Sequence, residues 1–172
     1  MKEKNSKGKI FEKLWAPWRM KYIEEIDTSD SDGCIFCEKP QETEDEDNLI
    51  VHRGKKCFVM LNKFPYNNGH LLIIPYSHTS ELSGLDSETM LEIMKTVDLV
   101  VEAIKSIMRP DGFNVGMNLG RSAGAGIAEH LHMHVVPRWN GDTNFMPVIG
   151  GTKVISESLE DSYKKIRKAI KG

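Results

Sequence analysis

The segment HLHMH at residues 130–134 contains three of the six histidines of the chain, each separated from the next by one apolar residue. Because successive side chains of a β-strand point to opposite faces, a strand here would present His130, His132 and His134 on one face. Neutral imidazole is a good ligand for zinc or copper, and it is also a nucleophile in covalent catalysis at phosphorus. The pattern therefore indicates a metal site, a catalytic histidine with neighbours that bind phosphate, or a solvated polar face.

A glycine-rich segment, NLGRSAGAG at residues 118–126, lies directly before the histidines. Glycine lets the backbone approach an anion closely and present N–H groups to it, and Arg121 would add a charged donor. Most glycine-rich loops are only flexible turns, so this segment alone does not identify a phosphate site. Its place next to the histidines favours phosphate binding, because an anion site and a nucleophile would then meet at one position.

Length and composition predict one domain of an ordinary globular protein. The 172 residues are 40% hydrophobic and 28% charged, with a formal net charge of −2. Nucleic-acid binding usually shows as a clear basic excess, and no apolar run has the length needed to cross a membrane. The N-terminus is not of the signal-peptide type. We therefore expect a cytoplasmic protein that binds a small molecule, with no nucleic acid and no membrane as partners.

Hydrophobic patterns predict an α+β domain with an antiparallel sheet and helices on one face. The expected strands are residues 49–53, 56–62, 70–75, 112–120 and 130–139. A long helix is expected from the capping residue Asp86 to a point before Pro110, and a second helix within residues 154–171.

The whole chain, residues 1–172, is expected to form this single domain. Residues 1–9 are expected to be a disordered tail. Residues 10–32 are expected to be an N-terminal extension, with a short helix and an aromatic segment packed on the domain or on a second subunit. The acidic segment at residues 41–48 is expected to be a solvated loop.

Cys34 and Cys37 form a C-x-x-C pair, whereas Cys57 lies alone in an apolar stretch. In a reducing compartment such a pair is a metal knuckle or a redox pair more often than a structural disulfide. Two cysteines are half of a closed tetrahedral metal site, and a pair of free buried thiols is the alternative.

The segment HLHMHVV resembles the histidine-triad signature, His-φ-His-φ-His-φ-φ with φ apolar, of a family of nucleotide hydrolases and transferases. A second segment, NKFPYNNGHLLIIPYSH at residues 62–78, resembles the region in which those proteins bind the nucleoside. The resemblance runs from about Cys34 to Trp139. Within the family, LWAPWR near the N-terminus and PRWNGDTNF after the triad resemble the bacterial branch described as diadenosine tetraphosphate phosphorylases.

The resemblance implies a homodimer in which a five-stranded antiparallel sheet continues into the partner. It also implies a reaction in which the middle histidine attacks the α-phosphorus of a nucleotide and forms a nucleotidyl-histidine. His132 is then the nucleophile, His134 a donor to the phosphate oxygens and His130 the third member of the triad. We therefore expect a nucleotidyl-transfer enzyme that cleaves dinucleoside polyphosphates of the diadenosine tetraphosphate type, with phosphate or water resolving the intermediate.

The resemblance also implies a set of substrate-binding residues. Asn118 matches the family's asparagine beside the phosphates, Asn62 the one at the ribose, and His70 a position that lines the nucleoside pocket, although a structural histidine is the alternative there. The full expected set is Asn62, His70, Asn118, Arg121, Ser122, Gly124 and Gly126. Mg²⁺ is expected only as a companion of the nucleotide.

The sequence departs from the family pattern at one place. Many triad hydrolases carry Gln four residues before the first histidine, often followed by Ser or Thr, and these side chains contact the leaving group. Here the two positions are Gly126 and Ile127, so the binding of the leaving group stays open. An acceptor anion would need a second pocket, for which Arg121, Ser122 and Arg138 are candidates. Arg138 alternatively only packs the end of the strand.

The resemblance gives the C-x-x-C pair a purpose. Related uridylyltransferases, and some triad proteins with a similar pair, complete a zinc site with a histidine after the nucleoside-pocket strand and with the first triad histidine. Here these are His78 and His130. A structural zinc, one per chain, is therefore expected on Cys34, Cys37, His78 and His130.

Three alternatives stay open. A hydrolase of nucleoside phosphoramidates would use the same nucleophile with a different leaving group. A nucleotide-binding module without turnover would keep the fold, although an intact triad argues against it. A catalytic metal held directly by the three histidines is disfavoured, because the cysteines offer softer ligands.

Overall fold

The computed structural model describes residues 3–4, 10–11, 33–150 and 152–171. Its strands are β1 (Glu3–Lys4), β2 (Ile10–Phe11), β3 (Ile50–Arg53), β4 (Cys57–Leu61), β5 (Leu71–Pro75), β6 (Gly112–Met117) and β7 (Met133–Arg138). Its α-helices are α1 (Ile35–Glu38), α2 (Ser87–Met108), α3 (Met146–Gly150) and α4 (Leu159–Lys171), and short 3-10 turns lie at Lys39–Gln41, Leu82–Gly84 and Arg121–Ala123. No helix in the described ranges has the length and apolarity that a membrane crossing requires.

The chain divides into two compact units. One consists of residues 1–29 and 143–154, and its described elements are helix α3 and the strands β1 and β2, which pair antiparallel. The other consists of residues 30–142 and 155–172 and holds all the remaining elements. Most of the predicted N-terminal tail and aromatic extension lies outside the described residues, and one domain over the whole chain stays a prediction.

The larger unit is built on a five-stranded antiparallel sheet with the strand order β3-β4-β5-β7-β6. The predicted α+β class and five-stranded sheet are therefore confirmed. β4 and β5 are buried along their whole length, because apolar side chains leave them on both faces. β6 and β3 form the two edges of the sheet.

The two faces of the sheet carry separate cores. Alternate residues of the strands pack under helices α2 and α4 in a helix-side cluster, whose members include Val59, Leu61, Leu71, Ile73, Val135, Val100, Ile104 and Ile166. The intervening residues point to the other face and form a knuckle-side cluster of Phe36, Ile50, Phe58, Met60, Leu72 and Ile74. Because strand side chains alternate, the second face is where His134 lies, directly opposite Leu72 in the sheet.

Helix α2 has the start and end that the sequence predicts. The side chain of its N-cap, Asp86, accepts a hydrogen bond of 2.6 Å from the backbone N–H of Thr89. The helix ends at Met108, after which Arg109 takes a left-handed conformation with φ of 49° and Pro110 follows. The C-terminal helix is also confirmed, although it begins at Leu159 and not near residue 154.

The last strand is shorter than the histidine pattern predicts. β7 begins at Met133, so only His134 of the triad lies within a strand, and the placement of all three histidines on one strand was wrong. The reason is that the residues before Met133 bond outside the sheet ladder. The backbone N–H of Leu131 donates to the carbonyl of Thr79 at 2.7 Å, and the ring of His132 bonds back to the carbonyl of His130.

Candidate active site

Five of the six histidines come together on the knuckle-side face, although three segments of the chain supply them. The ring centroids of His132 and His134 are 5.0 Å apart, and those of His134 and His70 are 5.1 Å apart. At the other end of the group, the rings of His78 and His130 are 5.1 Å apart. Histidines of the segment at residues 62–78 therefore lie next to those of residues 130–134.

The ring of His132 is held in one protonation form. Its Nδ1 lies 2.9 Å from the carbonyl oxygen of His130, and because a carbonyl oxygen only accepts, Nδ1 carries the proton and donates. The residue is 6% exposed, and burial lowers the pKa of the imidazole, while the bond to His130 opposes that shift. His132 is therefore a neutral imidazole whose Nε2 keeps its lone pair, which is the form a nucleophile needs.

A second chain of hydrogen bonds fixes the ring of His134. The backbone N–H of Tyr66 donates to Nδ1 of His70 at 3.0 Å, so the proton of the His70 ring must lie on Nε2. That Nε2 is 2.9 Å from Nδ1 of His134 and donates to it. The remaining nitrogen of a neutral His134, Nε2, then carries its proton and can act as a donor.

Asn62 supports the same protonation form of His70. Its Oδ1 accepts from the backbone N–H of Phe64 at 2.9 Å, which leaves Nδ2 as the atom 3.4 Å from Nδ1 of His70. Burial, followed by the nearby rings of His134 and His132, lowers the pKa of His70 to about 3. His70 therefore stays neutral at physiological pH and serves this site as a structural donor, and its role in binding the nucleoside stays a prediction.

The glycine-rich loop is a tight turn beside the triad. Gly120 and Gly124 flank the 3-10 turn with φ of 81° and 90°, a region that favours glycine. The backbone N–H groups of Ala123, Gly124 and Ala125 donate to carbonyls within the loop at 3.2, 2.8 and 3.3 Å. The N–H groups of these three residues are thus used inside the loop, whereas Arg121 and Ser122 have exposed side chains.

Asn118 ties this loop to the sheet. Met117 of β6 pairs with Met133 of β7, so Asn118 follows at the level of His132. Its Nδ2 donates to the carbonyl of Gly124 at 3.2 Å. Gly126 is half-buried, and Ile127 packs against the knuckle-side cluster, where many triad hydrolases carry Ser or Thr. The substrate contacts expected of Asn118, Gly124 and Gly126 stay predictions.

The two cysteines and two of the histidines form a cluster with the arrangement of a metal site. Sγ of Cys34 is 3.3 Å from Nδ1 of His130, and Sγ of Cys37 is 3.3 Å from Nδ1 of His78 and 3.5 Å from Nδ1 of His130. All four ligand atoms lie within 4.8 Å of one another. In a tetrahedral site with Zn–S of about 2.3 Å and Zn–N of about 2.1 Å, neighbouring ligand atoms lie about 3.3 to 3.8 Å apart. The residues present therefore fit a zinc ion.

A backbone carbonyl prepares His130 for this role. Its Nε2 donates to the carbonyl of Pro75 at 2.9 Å, which leaves the lone pair on Nδ1, the atom that faces the sulfurs. Burial, followed by the neighbouring thiol of Cys34, raises the pKa of the Cys37 thiol. A cation between the sulfurs would reverse that shift, because it stabilises thiolates.

Two aromatic residues at the site are not found by sequence reasoning. Phe36 lies between the two cysteines, and its ring centroid is 5.2 Å from that of His132 and 5.6 Å from that of His130. Tyr66 lies in the nucleoside segment, and its ring centroid is 4.6 Å from that of His70. The sequence signal for each residue is only its position, since Phe36 lies between Cys34 and Cys37, and Tyr66 lies within the segment at residues 62–78.

The side chain of Arg138 forms hydrogen bonds within the protein. Its Nε and Nη2 donate to the carboxylate of Asp142 at 2.6 and 2.9 Å, and its Nη1 donates to Oδ1 of Asn114 at 2.6 Å. Of the two readings of Arg138 that the sequence allows, these bonds favour the packing of the strand end.

Comparison with known proteins identifies the family. A family model described as the HIT domain matches residues 42–141. The chain belongs to the HIT, or histidine-triad, family, and the predicted membership and fold are confirmed.

One relative and two solved structures illustrate the likeness. The chain is 47% identical over 159 residues to the AP-4-A phosphorylase of Mycobacterium tuberculosis, an alignment that covers 89% of this chain and 81% of that protein. A Zn-bound histidine triad family protein from Mycobacterium smegmatis has a TM-score of 0.64 and 25% identity, covering 81% of this chain and 94% of that one. A hypothetical histidine triad nucleotide-binding protein from Sulfolobus tokodaii has a TM-score of 0.62 and 32% identity, covering 80% of this chain and 92% of that one. The prediction of a histidine-triad enzyme agrees with these relatives.

The buried His70 predicts a change of stability with pH. The folded pKa of about 3 lies below the ordinary value of 6.5, so between these values the unfolded chain binds a proton that the folded protein does not. Stability from this group is fully present above pH 6.5 and falls as the pH drops towards 3. In His70→Asn, the loss of unfolding free energy between pH 7 and pH 5 should be smaller by about 1 to 2 kcal/mol. Urea unfolding of both proteins at the two pH values measures this, and equal losses would contradict it.

Proposed function

We propose that this protein cleaves dinucleoside polyphosphates of the diadenosine tetraphosphate type by transferring a nucleotidyl group to His132. The observation that carries the proposal is the hydrogen bond from Nδ1 of His132 to the carbonyl of His130, because it leaves Nε2 as a neutral nucleophile beside the glycine-rich loop. The 47% identity to an AP-4-A phosphorylase supports the class of substrate.

In the first step, Nε2 of His132 attacks the α-phosphorus and the bond from phosphorus to the bridging oxygen breaks. With diadenosine tetraphosphate the products are an adenylyl-histidine and ATP. The Nε2–H of His134, which the chain from Tyr66 through His70 sets as a donor, would stabilise the charge on the phosphate oxygens. The burial of His132 supports this chemistry, because electrostatic interactions are stronger where water is excluded.

In the second step, inorganic phosphate attacks the same phosphorus, His132 leaves, and ADP is formed. The name of the M. tuberculosis relative supports phosphate as the acceptor in preference to water. Arg121 and Ser122 are the candidates for holding it, because their side chains are exposed in the loop beside Asn118. Arg138 is a weaker candidate, because its three nitrogens already donate to Asp142 and Asn114.

We also propose that Cys34, Cys37, His78 and His130 hold a structural zinc. Their mutual distances and the orientation of His130 by the Pro75 carbonyl support this set, as does a zinc-bound relative of the same fold. When bound, the ion would supply a fixed tetrahedral link and no chemistry on the substrate. It would join helix α1 to His130, the residue whose backbone carbonyl accepts the hydrogen bond from His132.

The protein is further proposed to be a homodimer in which β6 continues the sheet of one subunit into that of its partner. β6 is an edge strand, and its residues Asn114, Val115 and Gly116 are exposed. An edge with unpaired backbone groups is a template for pairing with another chain, and Val115, which is 44% exposed, gives this edge an apolar side chain.

One prediction concerns the reaction products. Incubation of the protein with diadenosine tetraphosphate, Mg²⁺ and inorganic phosphate should give ADP and ATP, because phosphate resolves the adenylyl-histidine. Without phosphate, ADP should not appear. Separation of the nucleotides by chromatography measures this. AMP and ATP at equal rates with and without phosphate would make the protein a hydrolase, and no cleavage would favour phosphoramidates as substrates.

The variant that tests the nucleophile is His132→Asn, which keeps a polar side chain of similar reach but no nucleophilic nitrogen. Its turnover should fall by at least about 1000-fold. His52→Asn is the control, because His52 lies in β3 and is the one histidine outside the group. Substantial turnover by His132→Asn would refute the assignment.

Another prediction concerns the metal. The purified protein should contain about one zinc per chain, and Cys34→Ser should lose most of it, because a site of four ligands is left with three. Cys57→Ala is the matched control, since this buried thiol bonds to Glu92 and Thr96, away from the cluster. Elemental analysis of the three proteins measures this. Metal-free wild-type protein of full stability would contradict the zinc proposal.

The last prediction of this group concerns the dimer. In sedimentation equilibrium the protein should have twice the chain mass of 19.5 kDa. Val115→Lys should shift it towards the monomer, because two like charges would meet across the joined edges. Leu91→Lys, at a position that is 56% exposed on helix α2, should have no such effect. A monomeric wild type, or dissociation by Leu91→Lys alone, would show that β6 is not the interface.

A further inference from the structure

Asp142, in the loop after β7, is a point where several segments meet. Its carboxylate accepts from Nε and Nη2 of Arg138 at 2.6 and 2.9 Å, from Nδ2 of Asn67 at 2.7 Å and from the backbone N–H of Trp139 at 3.2 Å. The Asp142 side chain is 7% exposed. A nearly buried carboxylate with this many donors is held firmly, and its bonds to Arg138 are the strong bidentate kind.

Asn67 joins this point to the turn that carries the site. The side-chain Nδ2 of Asn67 also donates to the carbonyl of Pro137 in β7 at 3.0 Å. The backbone carbonyl of Asn67 accepts from the backbone N–H of His70 at 3.2 Å. The residue is 7% exposed. One side chain therefore fixes the turn at residues 62–70 against the end of the triad strand.

The turn packs closely where Asn67 holds it. Gly69 has φ of 69°, and a Cβ at this position would lie 2.9 Å from Sδ of Met108 and 3.5 Å from Cγ of Pro137. The backbone of the turn therefore lies close to Met108 and to Pro137 of β7, with little room for a side chain at position 69.

The position of the turn decides the orientation of His134. The bond from Tyr66 to His70 and the bond from His70 to His134 both start from residues of the turn, at 3.0 and 2.9 Å. Such hydrogen bonds have lengths of about 2.7 to 3.2 Å, so a shift of a few tenths of an ångström of the turn against β7 would loosen the bond from His70 to His134. Among the described residues, Asn67 is the one buried amide side chain of the turn that bonds to β7.

We propose that Asn67, held by Asp142, is a positioning residue that sets the turn at residues 62–70 against β7 and thereby fixes the ring of His134 through His70. Its effect on the reaction rate rests on the proposed function, in which His134 donates to the phosphate oxygens. Its effect on the ring itself does not depend on that function.

The test compares Asn67→Ala with Asn68→Ala in the full-length protein as purified. Asn68 is the matched control, because it is the same residue type in the same turn but donates to Ser156, away from β7. In nuclear magnetic resonance spectra without substrate, the Nε2–H proton of His70 should exchange with water about tenfold faster in Asn67→Ala, the effect of losing about one hydrogen bond. Asn68→Ala should leave this exchange unchanged.

The same proteins are assayed with diadenosine tetraphosphate. Asn67→Ala should lower kcat by about tenfold to a hundredfold with KM changed much less, because a misplaced donor acts on the transition state. Asp142→Asn, which keeps the shape of the side chain but not its charge, should lower kcat in the same direction by a smaller factor. This second variant decides the question if Asn67→Ala does not fold.

The outcomes separate the two proposals. Unchanged proton exchange in Asn67→Ala or Asp142→Asn, or equal changes in Asn68→Ala, would overturn the positioning role whatever the activity. Faster exchange with a normal kcat would overturn its link to the reaction. Faster exchange in a protein whose wild type cleaves no dinucleoside polyphosphate would support the positioning of the ring and refute the proposed function.

Discussion

The hydrogen bond between the ring of His132 and the carbonyl oxygen of His130 is the contact on which the rest of the site depends. It forms within three residues of the chain, and it can form only because the segment leaves the regular ladder before β7 begins at Met133. A regular strand would send that carbonyl to a neighbouring strand. The irregular start of the strand and the protonation form of His132 therefore occur together.

His130 contributes three groups in three directions. Its carbonyl holds His132, its Nε2 donates to the carbonyl of Pro75, and its Nδ1 faces the two cysteines. The strand β5, the segment before β7 and the turn of helix α1 are thus joined at one residue. The C-x-x-C pair is thus linked through His130 to the ring of His132.

Much of the fold could be predicted from the sequence, because the features concerned are local. β4 and β5 read as apolar runs, and the helix α2 has a capping aspartate and a proline after its end. The grouping of the histidines and the cysteines followed from the family resemblance, and the mutual distances agree with it. The start of β7 could not be predicted, because the alternation of HLHMH carries no sign that Leu131 bonds to Thr79. The same holds for Phe36 and the Pro75 carbonyl, whose roles exist only once distant segments are paired.

The chain of bonds that ends at His134 has a direction. It begins at the backbone amide of Tyr66, which does not release its proton at any physiological pH, and each ring in turn accepts on Nδ1 and donates from Nε2. A proton taken up by His134 therefore cannot travel inward through His70 unless the bond from Tyr66 breaks. The chain from Tyr66 therefore cannot deliver a proton to His134, and a proton lost from Nε2 of His134 can be replaced only from the side of the ring that faces away from His70.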